Sequence, residues 1–386
     1  MTELPDGWEY KTLGEVAKWG SGGTPRAGTK TFYDGEIPWA IIGDLNDSYV
    51  SQAARNITKK GLEESSAKMV PVGSVLIAMY GSIGKLGINT IPMATNQAIA
   101  FAIPRKDLVL QKYLFYYLRS QREVFLRSGK GATQQNISQT LLKSWKIPIP
   151  PLPEQQMIVE ILEDNLCRLD ATLADVKLTK LKAEQFRRSL LKSAFSGYLS
   201  GDLSSIKKIS FDKVFQVGKT AGKSVKQKEY LIEGKYPVID QGDDFISGYS
   251  NDASLLLDFK VPIVIFGDHT RRFKYVNFPF TPGADGTKVL IPDEALNSKF
   301  AYYQLLSKEL RDRGYARHFS ELRKEMFWVP PQETQSQIVE ILEDHLSRLD
   351  ASVAVVEVME KQSSSLRLSL LQAAFSGKLT KEVASV

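Results

Sequence analysis

The chain of 386 residues carries 50 Lys and Arg against 44 Asp and Glu, a net charge of +6, with 43% hydrophobic and 24% charged residues. That length accommodates two or three domains, each with its own core, and no apolar run approaches the roughly 20 residues that a membrane-crossing helix needs. Cys167 is the only cysteine, which excludes intrachain disulfides and thiolate-rich metal centres and makes a reducing cytoplasm the expected compartment. The opening MTELPDGWEYKTLGEVAKW lacks the basic-then-apolar pattern of a signal peptide.

Residues 1–150 are expected to form a first globule of mixed α/β character. Trp8 to Val16 reads as a strand running into a turn, and Ser21-Gly22-Gly23-Thr24-Pro25 is a loop that no regular element tolerates. Ile37 to Ile42 and Gly73 to Tyr80 are candidates for buried strands. Gly81, Gly84 and Gly87 punctuate the turn that follows, and Ala98 to Ile103 returns as a strand. Leu110 to Ser128 has the apolar spacing of an amphipathic helix carrying Arg119, Arg122 and Arg127.

A long helix is expected over 151–200. Leu162, Leu169, Val176, Ala183 and Leu190 fall seven apart, with Leu166, Leu173 and Ala194 on the neighbouring seam. No Pro or Gly interrupts Glu154 to Ser196, so a helix roughly 60 Å long at about 1.5 Å per residue fits the stretch. The stripe is narrow and needs a partner helix, and the chain supplies one. Ile158 to Thr172 (IVEILEDNLCRLDAT) returns as Ile338 to Ser352 (IVEILEDHLSRLDAS), 12 of 15 positions identical at a separation of 338 − 158 = 180. The second stripe runs through Leu342, Leu349, Val356, Ser363 and Leu370, with Leu346, Val353 and Ala374 beside it, in a helix and tail over 330–386.

Residues 201–329 are expected to repeat the first globule with other side chains. Tyr236-Pro237-Val238-Ile239 answers Ile37-Pro38-Trp39, Val261 to Phe266 answers Val75 to Tyr80, and Phe300 to Leu306 answers Tyr113 to Leu118, at offsets that drift between 199 and 186. The fold class that follows is α+β: two mixed globules joined by two long helices in an antiparallel coiled coil with pseudo-twofold symmetry. Helices of nearly one sequence imply one task done twice, whereas unlike globules on one layout imply two ligands read by one mechanism.

Catalytic and metal signatures are missing. His269, His318 and His345 form no HExxH pattern, no GxxxxGK[ST] loop occurs, and Asn277-Phe278-Pro279-Phe280 departs from the Asn-Pro-Pro-aromatic site of amino-methyltransferases with no glycine-rich cofactor loop before it. Residues suited to nucleic acid are better supplied. In the first globule these are Gly22, Gly23, Thr24, Lys85, Asn96, Gln97 and the loop with Lys130, Thr133, Gln134, Gln135 and Asn136. Amide side chains can bond two adjacent atoms of adenine, and Gly lets backbone approach phosphate. In the second they are Asp268, His269, Thr270, Arg271, Arg272, Lys274, Arg317 and His318, where Arg can pair with guanine.

The globule-helix-globule-helix order, PPLPEQQ leading into IVEILEDxLxRLDA, the AFSGxL ends, and the loops SGGTPR, YGSIGK, ATNQAI, GDHTRRFKYV and GADGTKVL resemble the specificity subunit of type I restriction-modification systems over essentially the whole chain. The resemblance implies a non-catalytic subunit with two target-recognition domains, each reading one half of a split target in double-stranded DNA. It further implies docking, through the two helices and their seam residues from Leu162 to Leu190 and from Leu342 to Leu370, of two methyltransferase subunits, which use S-adenosylmethionine, and of motor-nuclease subunits, which use ATP and Mg, with no cofactor or metal in this chain. A structural adaptor with peptide-binding globules, or part of a self-contained restriction-methylation enzyme, are the alternatives. Steep salt dependence of DNA binding separates the first reading from an adaptor, and the missing cofactor loop counts against an enzyme.

Overall fold

A computed structural model of the chain describes residues 4–128, 136–196, 207–220, 222–257, 262–283, 286–311, 314 and 316–383. It divides into two compact units, Met1–Asp175 with Val358–Val386, and Val176–Glu357. Each unit combines one globule with a segment of each of two continuous 43-residue helices, Leu152–Ala194 and Gln332–Ala374. Among the described residues no helix is long and apolar enough to cross a membrane.

In the first unit a five-stranded sheet runs in the order Ala17–Ser21, Ile99–Pro104, Val75–Ala78, Leu86–Asn89, Ser48–Val50. All four residues of Val75–Ala78 are buried, as the unbroken apolar run requires of a central strand covered on both faces. A second sheet places Tyr33–Ala40 between Asn56–Ile57 and Met93–Thr95. Glu9–Thr12 pairs antiparallel with Lys146–Ile149, which brings the start of the globule to the threshold of the long helix. Thr12 then caps Leu13–Val16, with Glu15 completing a capping box, so the expected turn is one turn of helix.

The amphipathic stretch from Leu110 to Ser128 is two helices, Gln111–Ser120 and Arg122–Ser128. They part at Gln121, and the adjacent Arg122 donates through Nε to Gly84 O at 2.8 Å and forks its guanidinium onto the Asp47 carboxylate. Periodicity along the chain does not register such bonds to distant segments.

The second unit repeats the plan. Its sheet order, Phe215–Gly218, Thr287–Pro292, Ile263–Gly267, Phe273–Val276, matches the first four strands of its counterpart. Tyr236–Ile239 sits between Gly248–Ser250 and Thr281–Pro282, and Lys208–Ser210 pairs with Met326–Trp328. Asn297 caps Ser298–Leu306 by accepting from the N–H groups of Lys299 and Phe300.

The early turns of each long helix are part of a globule core. Ile158, Val159, Leu162 and Leu166 pack with Tyr113, Leu114 and Phe125 in the first unit, and Ile338, Val339, Leu342 and Leu346 with Phe300, Leu305 and Phe327 in the second. Each such side chain contributes roughly 2 kcal/mol of burial. Both helix segments run antiparallel within each unit: Leu371 and Ala374 join the first core, and Leu190, Leu191 and Ala194 the second. The stripe of Leu162, Leu166, Val176, Leu190, Leu342 and Leu346 is buried, and Leu169, Leu173, Leu349, Val353, Val356 and Leu370 are half-buried.

A polar latch recurs beneath both globules. Gln155 is fully buried; its Oε1 accepts the Leu110 N–H at 2.9 Å and its Nε2 donates to Leu108 O and Pro150 O, both at 2.9 Å. Gln335, also fully buried, accepts from Asn297 N at 2.7 Å and donates to Ala295 O and Pro330 O. Glu163 adds bonds from Lys112 and Tyr116, and Glu343 one from Lys299.

Candidate nucleic-acid interface

Each unit gathers its loops on a rim at the ends of the sheet strands, and three backbone hydrogen bonds build that rim twice. In the first unit Asn96 N donates to Ala40 O at 2.9 Å, Met79 N to Ala98 O at 2.8 Å, and Ile137 N to Met79 O at 3.0 Å. In the second, Gly283 N donates to Ile239 O at 2.8 Å, Asp268 N to Gly286 O at 2.8 Å, and His318 N to Asp268 O at 2.9 Å. The frame is common and the side chains on it differ.

On the first rim Thr24 is exposed and bonds through Oγ1 to the exposed Gln97, while the half-buried Lys85 reaches Ile42 O at 3.4 Å. Asn136 is exposed and forms a bridge with Tyr80. Of these sequence-named residues, the fold brings Thr24 and Gln97 into contact. Gly22 and Gly23 are buried, and an added Cβ would stand 2.1 Å from Thr95 O and 2.3 Å from Ala67 N; their small size serves packing against the chain itself and not approach to a phosphate. Asn96 is half-buried, and its Oδ1, like the Thr95 hydroxyl beside it, has no hydrogen-bond partner among the described residues. Thr281, beside Gly283 of the matching rim segment, repeats this. Lys130, Thr133, Gln134 and Gln135 lie outside the described residues.

The second rim is a tight hairpin, Gly267 to Arg272, locked against other segments of its globule. Gln241 Oε1 accepts from His269 N at 3.1 Å and Gln241 O from Thr270 Oγ1 at 2.7 Å, while Arg271, at φ 60°, donates through Nη1 to Leu310 O. Arg272 and Arg317 are exposed, and Arg272 pairs with the exposed Asp243 at 2.6 Å. Three residues expected to face DNA are interior: Asp268, Lys274 and His318 are 2%, 6% and 0% exposed. The Lys274 ammonium donates to Asp244 O and lies 3.8 Å from Asp240. Burial pulls its pKa below the usual value in spite of the Asp240, Asp244 and Asp243 charges. Burial alone would raise the Asp240 carboxyl, but bonds from Ser247, Gly242 N and Tyr230 hold it below the ordinary range. These side chains are consumed inside the globule because polar groups taken out of water must be paired.

Sequence reading missed the supports: Gln155, Gln335, Gln241, Asp240, and the Asp47–Arg122 pair. The two glutamines carried a signal, since each recurs at 335 − 155 = 180, off the apolar seam. A polar residue kept through a duplication that replaced other polar neighbours marks a bond made in both copies. The rest had no local signature.

The family model described as the type I restriction modification DNA specificity domain matches this chain at residues 5–177 and again at 205–353. The chain is 36% identical over 162 residues to the specificity subunit of type I restriction enzyme EcoR124I/EcoR124II of Escherichia coli, a match that covers 40% of this chain and spans only 40% of that relative. To the putative type I restriction enzyme MjaX specificity subunit of Methanocaldococcus jannaschii it is 24% identical over 417 residues, covering 98% of this chain and 95% of the relative. A chain solved in work on complex assembly and conformational transition of the type I R-M system has the same fold, with a TM-score of 0.71 at 17% identity, over 97% of this chain and 99% of that one. With the domain model matched twice along most of its length, the chain belongs to the type I restriction modification DNA specificity domain family.

Proposed function

We propose that this chain is the sequence-reading subunit of a type I restriction-modification complex and that each rim reads one half of a split DNA target. The observation that carries the reading is the rim frame built twice from matching backbone bonds and furnished with different side chains. In the first unit the contacting groups are Thr24, Lys85, Gln97 and Asn136, together with Lys130, Thr133, Gln134 and Gln135. In the second they are His269, Thr270, Arg271, Arg272 and Arg317. Half-sites approached from one face lie about one helical turn, roughly 34 Å, apart.

Methylation and cleavage belong to partner subunits, with S-adenosylmethionine, ATP and Mg bound there, in the cytoplasm where the DNA is. The buried seam leucines stabilise the helices internally, so docking of methyltransferase subunits falls to exposed apolar positions that recur 180 residues apart: Leu178 with Val358 and Phe186 with Leu366. Large apolar side chains at such exposed, repeated positions suit two copies of one partner.

The test is single-molecule sequencing of plasmid DNA from cells expressing the chain with its cognate methyltransferase. The expected result is a split motif modified in both halves, lost when this chain is omitted. An unsplit motif, or modification that persists without this chain, overturns the reading.

A further inference from the structure

The two rims share a frame but are braced by different chemistry. In the first unit the bond from Ile137 N to Met79 O joins two buried apolar residues, 1% and 4% exposed. In the second, His318 and Asp268 stand at those places, 0% and 2% exposed. The His318 Nδ1 lies 3.0 Å from Asp268 O; a carbonyl oxygen only accepts, so Nδ1 carries the proton. The Asp268 carboxylate reaches onward, and its Oδ1 accepts the Phe319 N–H at 2.8 Å. Asp268 N meanwhile donates to Gly286 O at 2.8 Å.

One buried residue therefore ties together the hairpin ending at Arg272, the segment at Gly286, and the segment that presents Arg317. An apolar residue at 268 would preserve the backbone bonds, as Met79 does in the first unit, but would release Phe319 N. Phe319 opens the short helix Phe319–Leu322 two residues after the exposed Arg317, so that bond anchors the start of the helix beside Arg317. We propose that Asp268 is a positioning residue for the second half-site: it touches no base, and its carboxylate fixes Arg317 relative to Arg272. This inference rests on the DNA-reading function above.

The experiment compares the wild-type chain, Asp268→Ala and Asp268→Asn in complex with the cognate methyltransferase, reading modification at every base of both half-sites by single-molecule sequencing. Asn retains an acceptor for the Phe319 N–H and is expected to keep wild-type discrimination. Ala is expected to lose about tenfold in discrimination at one or more bases of the second half-site, with the first half-site unchanged, the size of one lost base contact. Should Asp268→Ala fail to accumulate as folded subunit, Asp268→Ser takes its place, since a serine hydroxyl is too short to reach Phe319 N. Unchanged discrimination in the Ala or Ser variant overturns the proposal, and so does equal loss at both half-sites. A wild-type complex that yields no split motif overturns the DNA reading itself, independently of Asp268.

Discussion

Arg187 of the first long helix donates to the carboxylate of Asp350 on the second, and both belong to one unit. The other unit holds the same pair with the helices exchanged: Arg367 of the second helix donates to Asp170 of the first. Since 350 − 170 = 180 and 367 − 187 = 180, each residue is the duplicate of its counterpart in the other pair. A duplicated helix that meets its own copy antiparallel generates every cross-helix contact in two versions, as an isologous interface does. These pairs set the register of the helix segments at their polar edge.

Because Arg187 and Asp350 are 40% and 59% exposed, their pairing is worth at most about 1 kcal/mol. Asp350→Arg is expected to lower the thermal midpoint by about 2–4 °C. Arg187→Asp combined with Asp350→Arg is expected to restore it, and the difference is expected to shrink in 1 M salt, about where the screening length falls to 3 Å. Circular dichroism melts at two ionic strengths read all three outcomes.

The glutamine latches carry more. Gln155→Leu leaves the Leu110 N–H and the carbonyls of Leu108 and Pro150 without their partner in a buried site. At about 1–3 kcal/mol per orphaned group, with partial relaxation, a loss of about 3 kcal/mol is expected. Gln335→Leu is expected to cost a similar amount, and urea unfolding monitored in each unit measures both.

Acid sensitivity is expected at Asp47. Burial raises its carboxyl, but the Arg122 hydrogen bond, the Leu86 N–H and the Arg122 charge outweigh burial and hold the pKa below the ordinary value. A depressed folded pKa means that the unfolded chain binds the proton more readily, so the contribution to stability is complete above about pH 4 and is lost as pH falls through the folded value. Asp47→Asn keeps a residue suited to the positive φ of 60° at this position. It is expected to lower stability at pH 7 and to flatten the decline below about pH 4 in denaturation midpoints taken across pH.

Arginines that contact phosphate leave a signature in salt. Arg272→Ala and Arg317→Ala are each expected to reduce the slope of log affinity against log salt by about 1 if their contact is to phosphate. Relaxed preference at one base, with little change of slope, is the outcome expected of a base contact. Fluorescence anisotropy of the assembled complex on cognate and half-site-mutated duplexes separates the two.

Exchange of residues 1–150 for the matching globule of a relative is expected to alter one half-site and leave the other intact. Methylation mapping reads this directly, and a change in both halves would sink the modular reading.

The amino-acid sequence by itself determined the long helices, their duplication, the α+β class and the family. Each rests on spacing along the chain: a seven-residue stripe dictates one buried helix edge, and a 180-residue repeat survives in the side chains that both copies still need. The loop positions of Lys85, Gln97 and Asn136 were also legible, because stretches of small and polar residues beside apolar strands lie at strand ends. Only the tertiary structure decided which polar residues face out and which hold the rim from within. Asp268 and Arg272 stand in one hairpin and look equivalent in sequence, yet Asp268 is buried and its carboxylate accepts from Phe319, 51 residues away. The pairing of Asp47 with Arg122 spans 75 residues. Such pairings are chosen by the packing of distant segments, where a buried polar group must find whatever partner the fold presents, and no local pattern encodes that partner.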